Sequence, residues 1–204
     1  MNRFECMKRL AAKLDENVLN VVTLGKIVDE WDNAYPSVRN LHMGALGVTL
    51  GTAIGLALAL PHRKVLCIDS DGSILLDPGA MMVMGNRRPN NLIEIVWDNE
   101  SYDSLYTNPP LPTQTRWNVD LAAMAAGAGV PNTATVRTYE EFDNVFDVAL
   151  ASNETWFIVV KDDLTPPAQP LKRRVQDGIE GKYQFLRYIE QSEGKKIKPP
   201  CAVL

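Results

Sequence analysis

Cysteine and histidine are scarce in this chain: Cys6, Cys67 and Cys201 are its only thiols, and His42 and His62 its only imidazoles. The thiols lie far apart and form no Cys-x-x-Cys pair. That spacing excludes a disulfide framework, an iron–sulfur site and a Cys/His zinc site, and the thiols read as reduced side chains of a cytoplasmic protein. Excess positive charge is also missing: 21 Lys and Arg stand against 25 Asp and Glu, for a net charge of −4. Nucleic acid and anionic membranes both favour a basic face, so neither is expected as a partner. The opening MNRFECMKRL has no apolar core ahead of a small-residue cleavage site, and no secretion signal is expected. The first apolar run ends in TLGKIV, with a single glycine where a dinucleotide fold carries Gly-x-Gly-x-x-Gly. A nicotinamide-type dehydrogenase is disfavoured on that ground. The C-terminal Cys201-Ala202-Val203-Leu204 imitates a prenylation box, but no second anchoring signal accompanies it.

One long uncharged run is present, the 18 residues from Met43 to Leu60. It approaches the length that spans a bilayer. Gly44, Gly47, Gly51 and Gly55 recur within it every three or four residues and give a flat helical face suited to close packing. A buried helix over 44–60 is therefore expected, not a membrane span. Around it, β-rich apolar runs alternate with helical patterns. Strands are expected at 18–24, 64–69, 92–97, 133–136 and 156–161. Asp77-Pro78 is read as opening the helix AMMVMGNRR, with Asp77 as N-cap and Pro78 at the first helical position. Asp120 is read as capping LAAMAAGAG, and Thr138 with Glu141 as a capping box. Strands alternating with helices imply an α/β domain of Rossmann-like, three-layer build with a mainly parallel central sheet. Residues 1–164 form this domain; 165–204 read as a Pro-rich linker followed by a helical extension around GKYQFLRYIEQ.

In such sheets ligands bind beyond the carboxyl ends of the strands. Two strand ends carry suggestive chemistry. Asp71-Gly72-Ser73 follows one strand, and Asn99 follows the next strand 28 residues later. That interval holds one helix and the return strand, so both tips face one crevice. A carboxylate and an amide oxygen there supply two corners of the oxygen octahedron that Mg²⁺ requires. Gly72 lets the chain turn with its N–H groups exposed, and Ser73 can donate to a phosphate at the next helix start. The pair Asn90-Asn91 precedes the second strand and falls at the wrong end. His62, in PHRK, reads as a solvent-facing loop residue. Asp69 and Asp98 are expected to cap or solvate the strand ends.

These residues resemble the diphosphate-binding motif of thiamine diphosphate-dependent enzymes: Gly-Asp-Gly, then Asn-Asn a helix and a strand later. Here the motif stands as Ser70-Asp71-Gly72 and Asp98-Asn99, with Ser70 and Asp98 in place of a glycine and an asparagine. The resemblance implies a thiamine diphosphate-binding fold in which Asp71, Asn99 and the backbone carbonyl of Ser101 ligate Mg²⁺, beside Gly72 and Ser73. Upstream, Leu41-His42-Met43-Gly44 is similar to the family segment Gly-Ser-Met-Gly. That likeness implies Met43 as the apolar support of the V-shaped cofactor and the Leu41 carbonyl as acceptor for its aminopyrimidine. His42 is then a candidate catalytic or substrate contact. Gly25 resembles the family glycine near the diphosphate.

The likeness runs from about residue 20 to 160 and is nearest the beta subunits of the sulfopyruvate and phosphonopyruvate decarboxylase group. It implies a carboxy-lyase that converts a small 2-oxo acid to an aldehyde and CO₂. Family members need a second domain for the pyrimidine ring, with a catalytic glutamate, and this chain has the length of one. A split enzyme is therefore implied, with that domain on an alpha subunit of a hetero-oligomer. The glycine face at 44–60 and the helix near Phe185, Leu186 and Ile189 are the expected contact surfaces. Arg116, in the loop 101–117, is a candidate partner for a distal anion of the substrate. An acetolactate synthase-like carboligase subunit and a degenerate, non-catalytic cofactor-binding subunit stay open as alternatives.

Overall fold

The computed structural model describes residues 1–103, 109–172 and 178–197. Its strands are β1 (Val18–Val22), β2 (Asn40–His42), β3 (Lys64–Ser70), β4 (Leu92–Asp98), β5 (Ser101–Tyr102), β6 (Leu111–Pro112), β7 (Asn132–Val136) and β8 (Trp156–Lys161). Its helices are α1 (Arg3–Ala11), α2 (Lys26–Ala34), α3 (Thr49–Ala59), α4 (Asp71–Ile74), α5 (Gly79–Arg87), α6 (Leu121–Gly127), α7 (Tyr139–Ala151) and α8 (Gly178–Glu193). Six strands form one parallel sheet in the order β2-β1-β3-β4-β8-β7, and β5 pairs antiparallel with β6 in a separate hairpin. The five expected strands are present to within two residues at either end.

Helices cover both faces of the sheet, which is why β4 is buried along its whole length and reads as a nearly unbroken apolar run. On one face α1, α2 and α7 bring Met7, Trp31 and Phe142 onto Ile68, Ile95 and Trp97. On the other, α3, α5 and α6 bring Ile54, Met84 and Leu121 onto Val65 and Val96. The strand order places the C-terminal ends of β1, β3 and β4 side by side, and the order reverses around β1 and β3. A ligand crevice belongs at such a point.

Several expectations shift. The helix read over 44–60 starts only at Thr49; before it Gly47 turns in the left-handed region at φ 78°. α5 starts at Gly79 with Pro78, not Asp77, in the N-cap position. α1, α2 and β2 were not foreseen. Phe185 and Ile189 of α8 are only 3% and 6% exposed. They pack on Leu19 and Leu60, with Leu41 alongside, so they belong to this chain's own core and present no contact surface. The other two caps stand as expected: Thr138 and Glu141 cap α7 reciprocally, and Asp120 caps α6. Among the described residues no helix is long and apolar enough to cross a membrane. The C-terminal tetrapeptide from Cys201 lies outside the described residues.

Candidate cofactor site

A cavity of about 400 Å³ opens at the ends of β1, β3 and β4, and Asp71, Gly72, Asn99 and Ser101 line it together. β3 delivers Asp71 as the first residue of α4. Ser70 caps that helix, its hydroxyl accepting from the Ser73 N–H at 3.2 Å. A serine in place of the motif's first glycine therefore has a local job. At Gly72 a Cβ would sit 2.6 Å from the Tyr102 ring, so only glycine lets that ring close over the turn. β4 delivers Asn99, whose Oδ1 accepts from the Ser101 N–H at 3.0 Å. Between them Glu100 takes a left-handed backbone, φ 61°, a strained conformation that persists only where its surroundings fix it.

The Asp71 carboxylate is 1% exposed and accepts from the Thr113 hydroxyl on Oδ2 at 2.6 Å. Thr113 contacts the Thr115 hydroxyl at 2.9 Å, and Thr115 donates to Asp98 Oδ1 at 2.7 Å. The two hydroxyls have one proton each for three short oxygen–oxygen contacts. One contact then lacks a hydrogen unless a carboxyl is protonated. Two neighbouring buried acids have cations: Asp98 has Lys161 at 2.7 Å and Asp162 has Arg3 at 3.3 Å. Asp71 has none among the described residues. Burial, together with the charge of Asp98 and against the Thr113 hydrogen bond, pushes the Asp71 carboxyl up to about 7. Burial likewise pushes Asp162 up to about 8, against the pull of Arg3. A divalent cation beside Asp71 supplies the missing charge, and the carboxylate, amide and carbonyl oxygens gathered here are what Mg²⁺ prefers. The residues fit that ion.

Gly25 stands at φ 102° as the N-cap of α2, a conformation that favours glycine, between the cavity-lining Leu24 and Ile27. Five other anticipated residues fall outside the cavity lining. Leu41 packs against the α8 cluster. His42 is turned inward, Nε2 3.0 Å from Asp32 Oδ1, with both side chains only 6% exposed. Met43 packs partly into the core, and its N–H donates to the Val22 carbonyl at 2.8 Å. Ser73 is fully buried, and its hydroxyl accepts from the Gly47 N–H at 3.0 Å. Arg116 lines a neighbouring crevice of about 290 Å³ with Arg137, Lys161 and Thr115. Asn91 sits at the opposite end of β4, donating to the carbonyls of Ala57, Leu60 and Arg63. Asp69 and Asp98 are buried, not solvated, and burial pushes Asp69 up to about 6. His62 is exposed and pairs with Glu193 on α8.

Sequence reasoning missed Leu46, Tyr102, Thr113 and Thr115. Leu46 lines the cavity together with Asp71. The signal for it was present: Gly44-Ala45-Leu46-Gly47 keeps both glycines of Gly-Ser-Met-Gly, whereas the segment from Leu41 keeps only one. No comparable signal marks the threonines.

Residues 31–160 match the model of the thiamine pyrophosphate enzyme, C-terminal TPP binding domain. The chain belongs to this family of thiamine diphosphate-binding enzymes. It is 31% identical over 193 residues to the sulfopyruvate decarboxylase subunit beta of Methanocaldococcus jannaschii, covering 93% of this chain and 98% of that one. It is 34% identical to the sulfopyruvate decarboxylase of Methanosarcina acetivorans, over 78% of this chain but 40% of that longer protein. The phosphonopyruvate decarboxylase of Streptomyces viridochromogenes is 30% identical, over 74% of this chain and 37% of its own. In fold, the chain superposes on a thiamin diphosphate-dependent enzyme structure from Mycobacterium smegmatis with a TM-score of 0.66 at 18% identity, covering 79% of this chain and 32% of that one.

Proposed function

We propose that this chain is the diphosphate- and magnesium-binding subunit of a split 2-oxo acid decarboxylase of the sulfopyruvate or phosphonopyruvate type. The observation that carries the reading is Asp71: a buried carboxylate with no cation beside it among the described residues, in one cavity with Asn99 and Ser101 from the neighbouring strand end. When bound, thiamine diphosphate supplies the electron sink that lets a 2-oxo acid lose CO₂. Asp71, the Asn99 amide oxygen and the Ser101 carbonyl hold the magnesium. Gly25 and Gly72 let backbone approach the diphosphate. Tyr102, packed over Gly72, keeps water from the turn.

Leu46 takes the role of apolar support, and the carbonyl of Gly44, two residues earlier, that of acceptor for the aminopyrimidine. His42, held by Asp32, is left out of the reacting set. The catalytic glutamate belongs to a partner carrying the pyrimidine half. An apolar face supports such a partner: nothing lies within 4 Å of a Cβ at Gly51 or Gly55, and Leu58, Leu76 and Met82 are 43%, 60% and 66% exposed. The proposal is tested by reconstituting the chain with its partner and following CO₂ and aldehyde from sulfopyruvate, phosphonopyruvate, pyruvate and phenylpyruvate, with Arg116→Ala beside the wild type. Turnover of the two dianionic acids that needs both chains is expected. Decarboxylation by this chain alone, or a carbon–carbon coupled product in place of the aldehyde, overturns it.

A further inference from the structure

We infer that Thr113 and Thr115 are positioning residues that hold the Asp71 carboxylate in the orientation a cation needs. The inference rests on the cofactor reading above and concerns residues that the motif does not contain. Thr113 is fully buried and Thr115 nearly so, and the hydroxyl of each reaches a buried carboxylate, Asp71 from Thr113 and Asp98 from Thr115. Thr113 engages Asp71 Oδ2 at 2.6 Å, and Thr115 reaches the same oxygen at 3.4 Å.

Both threonines are placed by the β5–β6 hairpin. Ser101 pairs with Pro112, the Ser101 hydroxyl donates to the Leu111 carbonyl at 3.2 Å, and the Thr113 N–H donates to the Glu100 carbonyl at 3.1 Å. The turn that presents Asn99 and Ser101 is therefore tied to the residue that orients Asp71. From Thr113 the contacts continue through Thr115 and Asp98 to Lys161, which reaches back to Glu100 Oε1 at 3.1 Å. The result is a closed ring of polar contacts. It joins the tips of β3, β4 and β8 and returns to the strained Glu100 between two of the ligands. Ligand oxygens set by such a ring are preorganised, and losing an outer-shell partner typically costs about 10–100-fold in metal affinity.

The full-length chain is titrated with Mn²⁺, followed by electron paramagnetic resonance, and with Mg²⁺ plus thiamine diphosphate in a calorimeter. Wild type, Thr113→Val, Thr113→Ser, Thr115→Val and Asp71→Ala are compared, with melting temperatures taken in the absence of metal. The expected result is a loss of about 10–100-fold in cation affinity for Thr113→Val. Thr115→Val should lose less and Thr113→Ser should bind as wild type, while the metal-free melting temperatures stay close together. Wild-type affinity in Thr113→Val overturns the inference, and so does a Thr113→Ser as weak as the valine variant, because then the methyl and not the hydroxyl matters. If Thr113→Val does not fold, undiminished affinity in Thr115→Val overturns it equally. A wild-type chain that binds no cation at all instead fails the cofactor reading, and Asp71→Ala binding like wild type fails the ligand assignment.

Discussion

Asp71 is asked to do something a buried carboxylate resists. Its ordinary value is 3.8, and burial beside Asp98 pushes it up to about 7. Between those two values the folded chain keeps a proton that the unfolded chain has released. Stability from this group is therefore fully present below the ordinary value and is lost as pH rises through the folded one. Asp162, pushed up to about 8, acts with the same sign. The metal-free chain is expected to melt at progressively lower temperature from about pH 5 to about pH 8. Mg²⁺ with thiamine diphosphate should raise the melting temperature most at the alkaline end, where the ionised carboxylate is ready to bind and no proton competes. Asp71→Asn should flatten part of the slope, the part from Asp162 remaining, and should abolish the magnesium effect. Thermal scans across that range decide it. A larger magnesium effect at the acid end than at the alkaline end would sink the assignment of Asp71 as ligand.

The elements show what patterning can and cannot locate. β3 and β4 were legible because a strand buried on both faces must be apolar along its length, and because Asp71 and Asn99 break that pattern where the strands end. α1 and α2 were not, although Cys6, Met7 and Leu10 and then Ile27, Val28 and Trp31 recur at helical spacing: Arg3, Glu30 and Asp32 are buried on the same faces, and charges there dilute a short apolar stripe. The segment before α3 was legible as a motif, but an uncharged run does not say where its helix begins, and α3 starts only at Thr49. Chain length there is consumed by the extension of β2 and the left-handed turn at Gly47, which carry Leu46 into the cavity and leave Met43 against β1. Truncating both side chains tests the placement. Leu46→Ala should weaken thiamine diphosphate binding several-fold with little change in the metal-free melting temperature. Met43→Ala should instead leave affinity near wild type and lower the melting temperature, as loss of a partly buried core side chain does. Calorimetry and thermal scans on the two variants measure both. The reverse pattern would return the supporting role to Met43.

At the scale of the whole molecule, the fold presents a half-built cleft. One wall is the row of strand tips with their acids. The proposed partner would supply the other, since α8 packs onto Leu19 and Leu60 and no described residue of it lines the cavity. What stays uncovered is the outer face of α3 and α5. Val48, Leu58, Met82 and Val83 are 44%, 43%, 66% and 50% exposed, and Gly51 and Gly55 leave open space where side chains would stand. An apolar face with glycines four residues apart suits close helix packing, and exposed apolar area of this kind marks an interaction surface. The inner half of the run from Met43 is uncharged because Leu50, Ala53, Ile54 and Ala57 are buried in the core, where an unpaired charge is costly. Leu58→Glu places one such charge on the face without touching the cavity. The variant should fold, bind Mg²⁺ and thiamine diphosphate as the wild type does, and lose association with the pyrimidine-binding partner by at least tenfold, together with decarboxylation. Sedimentation of the mixed chains and cation titration of the variant separate the two properties. Undiminished association in Leu58→Glu would place the partner on another face, while lost cation binding would mean that the face supports the cavity directly.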